Sequence, residues 1–393
     1  MFALSEKKEN EVLTLALRGR IDSTNAAGAE KEIFAAINGF SGELVLDAAG
    51  LEYISSAGLR VILRLKKANK TTRIVNASSE VYEIFDMTGF TEMMEIAKAY
   101  RKISIDGCEV IGEGANGKVY RIDPDTIVKV YKNHDALEEI HNERELARKA
   151  FVMGVPTAIP YDVVRIEGGG YGSVFELLNA TSFAKLLIRG EKTVDEVAEM
   201  SVKLLKLMHS KIVKPGTMPD MKAVALDWAG FLKDYLPAEA FEKLYALVDA
   251  VPQDMHMMHG DYHIKNVMLQ NGEALLIDMD TLCHGHPVFE LASMYNAYCG
   301  YSAMDHAIVE KFLGISYETA CAFWRKSLEL YLDTEDEDRI ENVEDKAKII
   351  GYTRIMRRTI RRNGLNSEEG RAVIDNCKAV LGELLQRVDS LLF

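Results

Sequence analysis

The sequence contains no long apolar segment and few cysteines, and both absences restrict what the chain can be. No run of 18 or more apolar residues occurs among its 393 residues, so no transmembrane helix is expected. The five cysteines are widely spaced and form no CxxC or Cys/His pattern, which argues against a disulfide framework and a zinc site. Free thiols are typical of a reducing compartment, and the charged start MFALSEKKEN is unlike a signal peptide, so we expect a cytoplasmic protein.

A surplus of positive charge is also missing. The chain has 60 Asp and Glu residues against 47 Lys and Arg residues, and its formal net charge is −13 at pH 7. Nucleic acid and anionic lipid repel such a chain, so neither is expected as a partner. The only dense basic run is RIMRRTIRR, residues 354–362. We interpret it as a solvated helix face, with a site for an anionic substrate or partner as the alternative.

Short strands alternate with helices in the first 100 residues. Apolar runs at 12–17, 43–46 and 73–75 indicate strands. Helices are predicted to be capped by Ser23, by Ser56 and by Ser78 or Ser79. This alternation predicts an open α/β domain over residues 1–100.

After a short linker near residues 100–106, the pattern changes to antiparallel hairpins followed by helices. The segments 117–122 and 126–131 flank the turn sequence DPD, and 163–166 and 172–177 flank three glycines. A third hairpin joins 267–270 to 274–277 through Asn271-Gly272, the strongest short hairpin signal. The rest of the chain from Val194 onward is predicted to be mostly helical, which indicates an α+β domain.

The first feature with chemical meaning is the glycine-rich segment IGEGANGKVY, residues 111–120. Such a turn between two strands lets the backbone approach triphosphate oxygens without Cβ clashes. The candidate nucleotide-binding residues in it are Gly112, Gly114, Asn116 and Gly117. Lys129 follows on the next strand, within IVKV, where it can contact the α and β phosphates or occupy an exposed edge position. Glu143, on the helix that follows, can pair with Lys129, and Glu145 is its competitor.

The strongest feature is the segment HGDYHIKN, residues 259–266. Asp261 and Asn266 lie five residues apart, the spacing of a kinase catalytic loop. The Asn-Gly hairpin then returns the chain to Asp278, and Asp280 is a second candidate at that position. Hard oxygen ligands are what Mg²⁺ requires, so we predict that Asn266 and Asp278 hold magnesium. Asp261 is the predicted catalytic base that accepts the proton of an attacking hydroxyl.

HGDYHIKN followed by LLIDMD resembles the aminoglycoside phosphotransferase and choline kinase superfamily over roughly residues 105–365. The resemblance implies a bilobal α+β protein-kinase-like domain, with an N-lobe at 105–180, a C-lobe at 181–365 and a C-terminal helix at 366–393. It also implies ATP as the phosphoryl donor, with GTP as the alternative, and an amino sugar or amino alcohol as the hydroxyl acceptor. By the same resemblance, the hinge at Glu176 to Leu178 meets the adenine through backbone groups. The chain departs from the family at Glu290, where an aspartate often stands.

Residues 1–100 resemble STAS domains, the fold of bacterial anti-sigma-factor antagonists. The matching segments are GRID at 19–22, LVLD at 44–47, YISSAGL at 53–59 and TGF at 88–90. In that family a serine in this position is the phosphorylated switch, and it corresponds to Ser56. A helix start favours added negative charge, although Ser56 could equally be an ordinary N-cap. The residue before it is Ser55, where many antagonists have aspartate.

Three functions are therefore open at this point. The first is an ATP-dependent small-molecule kinase with a regulatory STAS domain. The second is a signalling protein whose kinase-like domain phosphorylates protein serine and whose STAS domain binds an anti-sigma factor. The third is a nucleotide-binding scaffold without turnover. The acidic stretch at 333–338 is most simply a solvated helix end or loop. The alternative is an anionic pocket for a cationic acceptor, which Glu290 could join.

Overall fold

The computed structural model describes residues 2–114 and 116–393, so Ala115 of the glycine-rich segment lies outside the described residues. The chain divides into two compact units. The first contains the residues up to 104 together with 163–167, and the second contains 105–162 and 168–393. None of the helices in the described part of the chain is long and apolar enough to cross a lipid bilayer.

The first unit is built on one five-stranded sheet with helices packed against it. Its strands are β1 (Ala3–Glu9), β2 (Val12–Ile21), β3 (Glu43–Ile54), β4 (Arg73–Ala77) and β5 (Ile96–Lys98). Its helices are α1 (Ala26–Ala36), α2 (Ser56–Ala68), α3 (Ser79–Met87) and α4 (Phe90–Met93). The strands follow the chain order, with β1 antiparallel to β2 and the other neighbours parallel.

The core of this unit explains why the alternation of strands and helices is visible in the sequence. Strand residues such as Leu44 and Leu46 are fully buried, and so are helix residues such as Ile33 and Ile62. Helices with one apolar face can bury it only against a second layer, and the sheet provides that layer. The predicted α/β class is confirmed.

Two helix starts differ from the sequence prediction. Ser55, not Ser56, is the N-cap of α2, because its hydroxyl accepts the Gly58 N–H at 3.4 Å. Helix α1 begins at Ala26 with Asn25 at its N-cap, so Ser23 does not cap it. In the second case the side chain of Asp22 stabilises the turn before the helix. Its carboxylate accepts hydrogen bonds from the Thr24 N–H at 3.0 Å and from the Thr24 hydroxyl at 2.6 Å.

The segment expected to be a linker contains a strand. β6 (Arg101–Ile103) pairs in parallel with residues 164–166 of β10 (Asp162–Ile166), and both paired segments belong to the first unit. Three residues are too few for a readable period, so the pattern along the sequence could not reveal this pairing.

The second unit begins with antiparallel strands and one helix. These elements are β7 (Glu109–Glu113), β8 (Gly117–Asp123), β9 (Thr126–Tyr131), α5 (Leu137–Val152) and β11 (Tyr171–Glu176). β9 lies between β8 and β11, and β8 pairs with β7 on its other side. The polar turn at 123–125 joins β8 to β9, as its composition predicts.

Helices make up most of the remainder of the second unit. They are α6 (Phe183–Ile188), α7 (Val194–His209), α8 (Met221–Phe231), α9 (Ala238–Asp249), α10 (Val288–Tyr298), α11 (Ala307–Leu313), α12 (Tyr317–Leu332), α13 (Glu337–Arg361) and α14 (Glu368–Arg387). Short strands lie among them: β12 (Thr181–Ser182), β13 (Met257–Met258), β14 (Val267–Gln270), β15 (Glu273–Leu276) and β16 (Cys283–His284). The predicted α+β class is confirmed.

The β14–β15 hairpin turns at Asn271 and Gly272, whose φ angles are 51° and 84°. Both values are positive, as a two-residue hairpin turn of the Asn-Gly type requires. Val267 pairs with Leu276, so the residue before β14 and the residues after β15 emerge at the same end of the hairpin. Those residues are Asn266 and Asp278.

Candidate active site

An ion pair between Lys129 and Glu143 forms one side of the site. The Lys129 ammonium lies 3.1 Å from both carboxylate oxygens of Glu143, whose residue is 3% exposed. Glu145, the other candidate, lies near Lys149 at 3.5 Å and its side chain is 55% exposed. The helix therefore directs Glu143 at the strand lysine and Glu145 toward solvent.

Two hydroxyl groups that the sequence reasoning missed support this pair. The Tyr131 hydroxyl donates to Glu143 Oε2, and it lies 3.2 Å from the Ser173 hydroxyl. A signal was available for Tyr131, because residues two apart on a strand share a face and Lys129 is its neighbour on β9. Ser173 lies opposite Lys129 on β11, a cross-strand register that the sequence could not give.

Lys129 also contacts Asp278, at 2.6 Å between Nζ and Oδ1. Burial opposes the charge on Lys129, but the carboxylates of Glu143 and Asp278 outweigh it, so the pKa of the lysine is raised. The ammonium is therefore charged at neutral pH. This contact joins the antiparallel sheet to the end of the β14–β15 hairpin, 149 residues later in the chain.

Asp261 lies in the loop between β13 and β14. Its Oδ2 is 3.4 Å from His263 Nε2, and its side chain is 44% exposed. Burial raises the pKa of Asp261, but the hydrogen bond from His263 and the charges of His263, His259 and Arg354 outweigh it, so the pKa is lowered overall. The carboxylate is ionised at neutral pH and still reachable, which are the two properties that a base requires.

Asn266 fixes the other end of this loop. Its side-chain amide donates to the Asp261 carbonyl at 3.0 Å, and its own carbonyl accepts the Ile277 N–H at 3.0 Å. Ile277 precedes Asp278, which has a left-handed backbone with φ 62°. The loop and the hairpin thus bring Asp261, Asn266 and Asp278 to one end of the hairpin.

The carboxylate of Glu290 lies beneath the loop and holds its backbone. Its oxygens accept the His259 N–H at 2.5 Å and the Gly260 N–H at 3.1 and 3.2 Å. The side chain is fully buried. Burial alone would raise its pKa, but the hydrogen bond and charge of His209, the charge of His259 and the Gly260 N–H lower it overall. Glu290 therefore positions the loop, and the proposal that it joins an acidic acceptor pocket is wrong.

Gly260 is required where it stands. Its φ is +81°, and a Cβ at this position would lie 2.4 Å from the Thr281 carbonyl oxygen. Any side chain would push the loop away from the residues that follow β15. The glycine of the HGD segment is thus explained by the fold itself.

The glycines of the glycine-rich segment differ from one another. A Cβ on Gly117 would lie 2.2 Å from the Val130 carbonyl oxygen, so the strand pairing requires this glycine. A Cβ on Gly112 would make only ordinary contacts at 3.7 Å, and a Cβ on Gly114 would meet nothing within 4 Å. The described residues therefore give no steric reason for Gly112 and Gly114 to be glycine, and both stay candidates for the phosphate contact that the sequence predicts.

This difference gives a matched pair of tests. Gly117→Ala is expected to lower the free energy of unfolding by about 1–3 kcal/mol, because its Cβ must displace backbone. Gly114→Ala is expected to leave stability within about 0.5 kcal/mol. It should instead raise the KM for the nucleotide donor by about tenfold, because the methyl group would occupy the space predicted for the phosphate contact. Urea denaturation and initial-rate kinetics on both variants distinguish these outcomes, and equal effects of the two changes would contradict the assignment.

Asn116 links the glycine-rich segment to Asp280. Its side-chain amide donates to Asp280 Oδ2 at 3.0 Å. Burial and the nearby charge of Asp278 raise the pKa of Asp280 to about 6. Two neighbouring carboxylates that repel each other favour a bound cation, so Asp280 remains beside Asp278 as a candidate metal ligand.

The oxygen donors of Asn266 and Asp278 fit a magnesium site completed by water and phosphate better than a site whose ligands all come from the protein. Within the described residues, no group of three or more His, Cys, Asp or Glu side chains is placed to hold a metal ion. Asn266 and Asp278 offer an amide and a carboxylate instead. Mg²⁺ is usually bound by one or two carboxylates together with water and substrate phosphates, so this small donor set fits it.

The predicted hinge follows β11. Glu176 pairs with Thr126 at the end of that strand, and the Leu177 N–H donates to the Asp125 carbonyl at 2.7 Å. Among the described residues, no backbone partner accepts the Leu178 N–H. Glu176 and Leu178 also line a cavity of about 400 Å³ next to the β14–β15 hairpin. An N–H without a backbone partner at this position is consistent with the predicted backbone contact to the adenine of a nucleotide.

The basic run at 354–362 is not simply a solvated face, as the sequence suggested. Arg354 and Arg357 are half-buried, and only Arg358, Arg361 and Arg362 are exposed. Arg354 donates to the Ser293 hydroxyl at 3.0 Å. The acidic stretch at 333–338 does match its simpler interpretation, because Asp333 ends α12 and Asp336 is the N-cap of α13.

Ser56, in the first unit, is exposed and occupies the first turn of α2. Since Ser55 is the N-cap, the capping role does not explain Ser56. Its hydroxyl makes no hydrogen bond to any part of the chain that the structure describes. It is therefore accessible at a helix start, where the backbone favours negative charge.

Two family models match the chain, and both agree with the resemblances inferred from its motifs. The model described as the phosphotransferase enzyme family, APH, matches residues 107–323, which is more than half of the chain. The model described as the STAS domain matches residues 4–103.

Individual relatives match each part separately. A Bordetella bronchiseptica protein with the provisional description anti-sigma factor antagonist BtrV is 32% identical over 100 residues, which are 24% of this chain and 86% of that protein. The structure of the ADP-bound aminoglycoside phosphotransferase APH(2'')-Ib is similar with a TM-score of 0.47 and 15% identity, over 79% of this chain and 99% of that one. A choline/ethanolamine kinase family protein from Mesorhizobium loti is similar with a TM-score of 0.46 and 15% identity, over 71% and 88%.

The match to the phosphotransferase model spans the whole set of site residues, from Gly112 to Asp278. It identifies the chain as a phosphotransferase of the kinase type. The STAS match identifies the fold of the first unit, independently of that activity. The chain belongs to the phosphotransferase enzyme family APH, and it carries a STAS domain before its phosphotransferase domain.

Proposed function

We propose that this protein transfers the γ-phosphoryl group of ATP to a hydroxyl group of a small molecule. The observation that carries the proposal is the contact of the charged Lys129 with both Glu143 and Asp278, at 3.1 and 2.6 Å. This contact supports the proposal because Lys129, the candidate phosphate-binding cation, lies next to Asp278, the candidate metal-binding carboxylate. GTP remains the alternative donor.

The side chains divide the work of phosphoryl transfer. Lys129 binds the α and β phosphates, and Glu143 with Tyr131 holds it in position. Asp261 accepts the proton of the acceptor hydroxyl as that oxygen attacks, because its carboxylate is ionised and accessible. Asn266 and Asp278 hold Mg²⁺, which supplies positive charge to the phosphate oxygens when it is bound.

The STAS domain is proposed to regulate this activity through a protein partner such as an anti-sigma factor. The class of acceptor that the resemblance implies is a cationic amino sugar or amino alcohol. Amino sugars and amino alcohols are therefore one group of compounds in the acceptor panel that tests the proposal.

The test is turnover of ATP by the full chain with a panel of hydroxyl compounds and Mg²⁺. We expect acceptor-dependent release of ADP by the wild-type protein and none above background with Asp261→Ala. Equal rates in the two proteins on every acceptor, with ATP bound in both, would count against phosphoryl transfer.

Removal of the metal gives an independent check. We expect an excess of EDTA to abolish turnover and Mg²⁺ to restore it, because Asn266 and Asp278 leave several coordination positions to water and phosphate. Asn266→Ala should require a higher Mg²⁺ concentration for half-maximal rate than wild type does. Full activity in EDTA would contradict the metal assignment.

A second candidate function is phosphorylation of protein serine, with Ser56 or the equivalent serine of a partner as the acceptor. Its specific support is that Ser56 is exposed at a helix start and is not the cap of α2. Phosphate mapping by mass spectrometry after incubation with ATP and Mg²⁺ tests it, with Ser56→Ala and Ser55→Ala as the matched pair. Incorporation that persists in Ser56→Ala, or its absence from wild type and any added partner, would remove this support.

A further inference from the structure

Three arginines of the basic run lie on one face of α13, and one of them, Arg354, is connected to the loop that contains Asp261. Arg354, Arg357 and Arg358 are called the arginine cluster here. They lie on α13 at positions i, i+3 and i+4, so the helix places their side chains on one face. The chain as a whole has a net charge of −13, which makes a local group of three cations unusual.

Arg354 is tied to the catalytic loop by two hydrogen bonds. Its Nη1 donates to the Ser293 hydroxyl at 3.0 Å, and that hydroxyl donates to the Gly260 carbonyl at 3.0 Å. Gly260 directly precedes Asp261. The charge of Arg354 also acts on Asp261, since it contributes to lowering the pKa of that carboxylate. An acceptor whose hydroxyl reaches Asp261 therefore experiences the positive charge of Arg354.

Aromatic rings and polar groups hold the guanidinium groups in place. Arg354 lies over the Trp228 ring at 5.3 Å to the centroid. Arg357 lies over the Phe231 ring at 5.6 Å, and its Nε is buried without a hydrogen-bond partner among the described residues. Such stacking orients a guanidinium without neutralising it.

Arg358 completes the cluster. It lies over the Tyr301 ring at 5.1 Å and donates to the Tyr301 hydroxyl at 3.1 Å. This side chain is exposed and has only a neutral partner, so its charge is available to a ligand.

Protein carboxylates compensate only part of this charge. Arg357 pairs with Asp227 at 2.8 Å, but no carboxylate of the described residues lies within 4.0 Å of Arg354 or Arg358. Glu290 is buried and bound to the loop backbone. The acidic stretch lies at the opposite end of α13, with Asp338 about 24 Å along the helix from Arg354.

We infer that the hydroxyl acceptor carries an anionic group, a carboxylate or a phosphate, which the arginine cluster binds while the hydroxyl lies at Asp261. The inference rests on the proposed phosphoryl transfer and replaces the cationic acceptor class that the resemblance implied. A guanidinium presents paired N–H donors that match both carboxylate and phosphate. A cationic amino sugar would instead meet two arginines, Arg354 and Arg358, that have no carboxylate of the described residues within 4.0 Å.

The experiment compares sugars that differ mainly in charge: glucosamine, glucose, glucuronate and glucose 1-phosphate, each with ATP, Mg²⁺ and the full chain. The variants are Arg354→Gln and Arg358→Gln, and the matched control is Arg361→Gln, an exposed arginine on the same helix. We expect kcat/KM to be highest for one of the two anionic sugars, and the choice between them separates carboxylate from phosphate. Each cluster variant should raise the KM for that sugar by about tenfold or more, since it removes a charge-assisted hydrogen bond. Arg361→Gln should leave it unchanged.

A binding measurement makes the result independent of the choice of sugar. Radiolabelled sulfate is titrated by equilibrium dialysis against the complex with Mg²⁺ and a non-hydrolysable ATP analogue, so that the nucleotide site is already filled. We expect saturable binding that is weakened about tenfold in Arg358→Gln and retained in Arg361→Gln. Arg358 is exposed, so its variant keeps the test valid if Arg354→Gln fails to fold.

The outcomes separate this inference from the proposed function. Preferred turnover of glucosamine, or sulfate binding that is equal in all variants, would overturn the anionic acceptor while phosphoryl transfer stands. Failure to bind ATP with Mg²⁺ would overturn the proposed function itself.

Discussion

Asp261→Asn is expected to lower kcat by about 10²–10⁴-fold, the usual contribution of a positioned general base. The asparagine has nearly the same size, so the loop should keep its shape, but its amide cannot accept the proton of the attacking hydroxyl. The carboxylate that it replaces is ionised, with a pKa lowered mainly by His263 against the opposing effect of burial. Steady-state kinetics with saturating ATP, Mg²⁺ and acceptor measure the ratio.

The same variant should bind ATP with unchanged affinity, because the predicted phosphate contacts are made by Lys129 and not by Asp261. Asp195→Asn, an exposed aspartate in the first turn of α7, serves as the matched control and should retain wild-type kcat. A decrease in ATP affinity that accounts for the whole loss of rate, or a variant as active as wild type, would remove Asp261 from the role of base.

Glu290→Gln is expected to lower both stability and kcat. The buried Glu290 carboxylate accepts N–H groups from His259 and Gly260. The glutamine amide can accept through only one oxygen, and its NH2 group would face a backbone N–H of the loop, so hydrogen bonding is lost at a cost of about 1–3 kcal/mol. Because Gly260 precedes Asp261, the loop should shift, and a displacement of about 1 Å can cost about 10²-fold in rate.

The sign of the pH dependence follows from the lowered pKa of Glu290. A carboxylate with a pKa below its unfolded value of 4.5 stabilises the fold above pH 4.5, and this contribution is lost as the pH falls through the folded pKa. The stability difference between wild type and Glu290→Gln should therefore decrease below pH 4.5. Urea denaturation at several pH values measures it.

Glu290→Asp is the matched control, since it keeps the charge and shortens the side chain by one methylene group. We expect its stability and kcat to lie between those of wild type and Glu290→Gln. If Glu290→Gln denatures like wild type at neutral pH, or if the aspartate variant is the worse of the two, the carboxylate does not hold the loop.

Local patterns were sufficient for the parts of the site that depend on short spacing. Asp261 and Asn266 lie in one loop, five residues apart. The Asn271-Gly272 turn predicts the hairpin that brings the chain back to Asp278. The sequence does not decide whether Glu143 or Glu145 pairs with Lys129, because the choice depends on the rotation of α5 against β9. The contact of Lys129 with Asp278 and the position of Ser173 depend on pairings across long stretches of chain, for which one sequence carries no period.

The surroundings of the basic run are the part of the second unit that the sequence predicts least well. The basic run at 354–362 was visible, but a helix face shows its surroundings only when its neighbours are known. Trp228 and Ser293 come from two other helices, α8 and α10, and together they place Arg354 beside the catalytic loop. In the first unit, β1 was missed because its sequence ALSEKKE is mostly polar and exposed.

The central claim, that the chain is a phosphotransferase acting through Asp261, is tested most directly by following the phosphate itself. The full-length protein and Asp261→Asn are incubated with γ-labelled ATP, Mg²⁺ and the acceptor panel, and the products are separated. We predict that label moves from ATP to a hydroxyl compound with the wild-type protein and not with the variant. Label that stays on ATP, or is released only as inorganic phosphate at equal rates by both proteins, would contradict the claim.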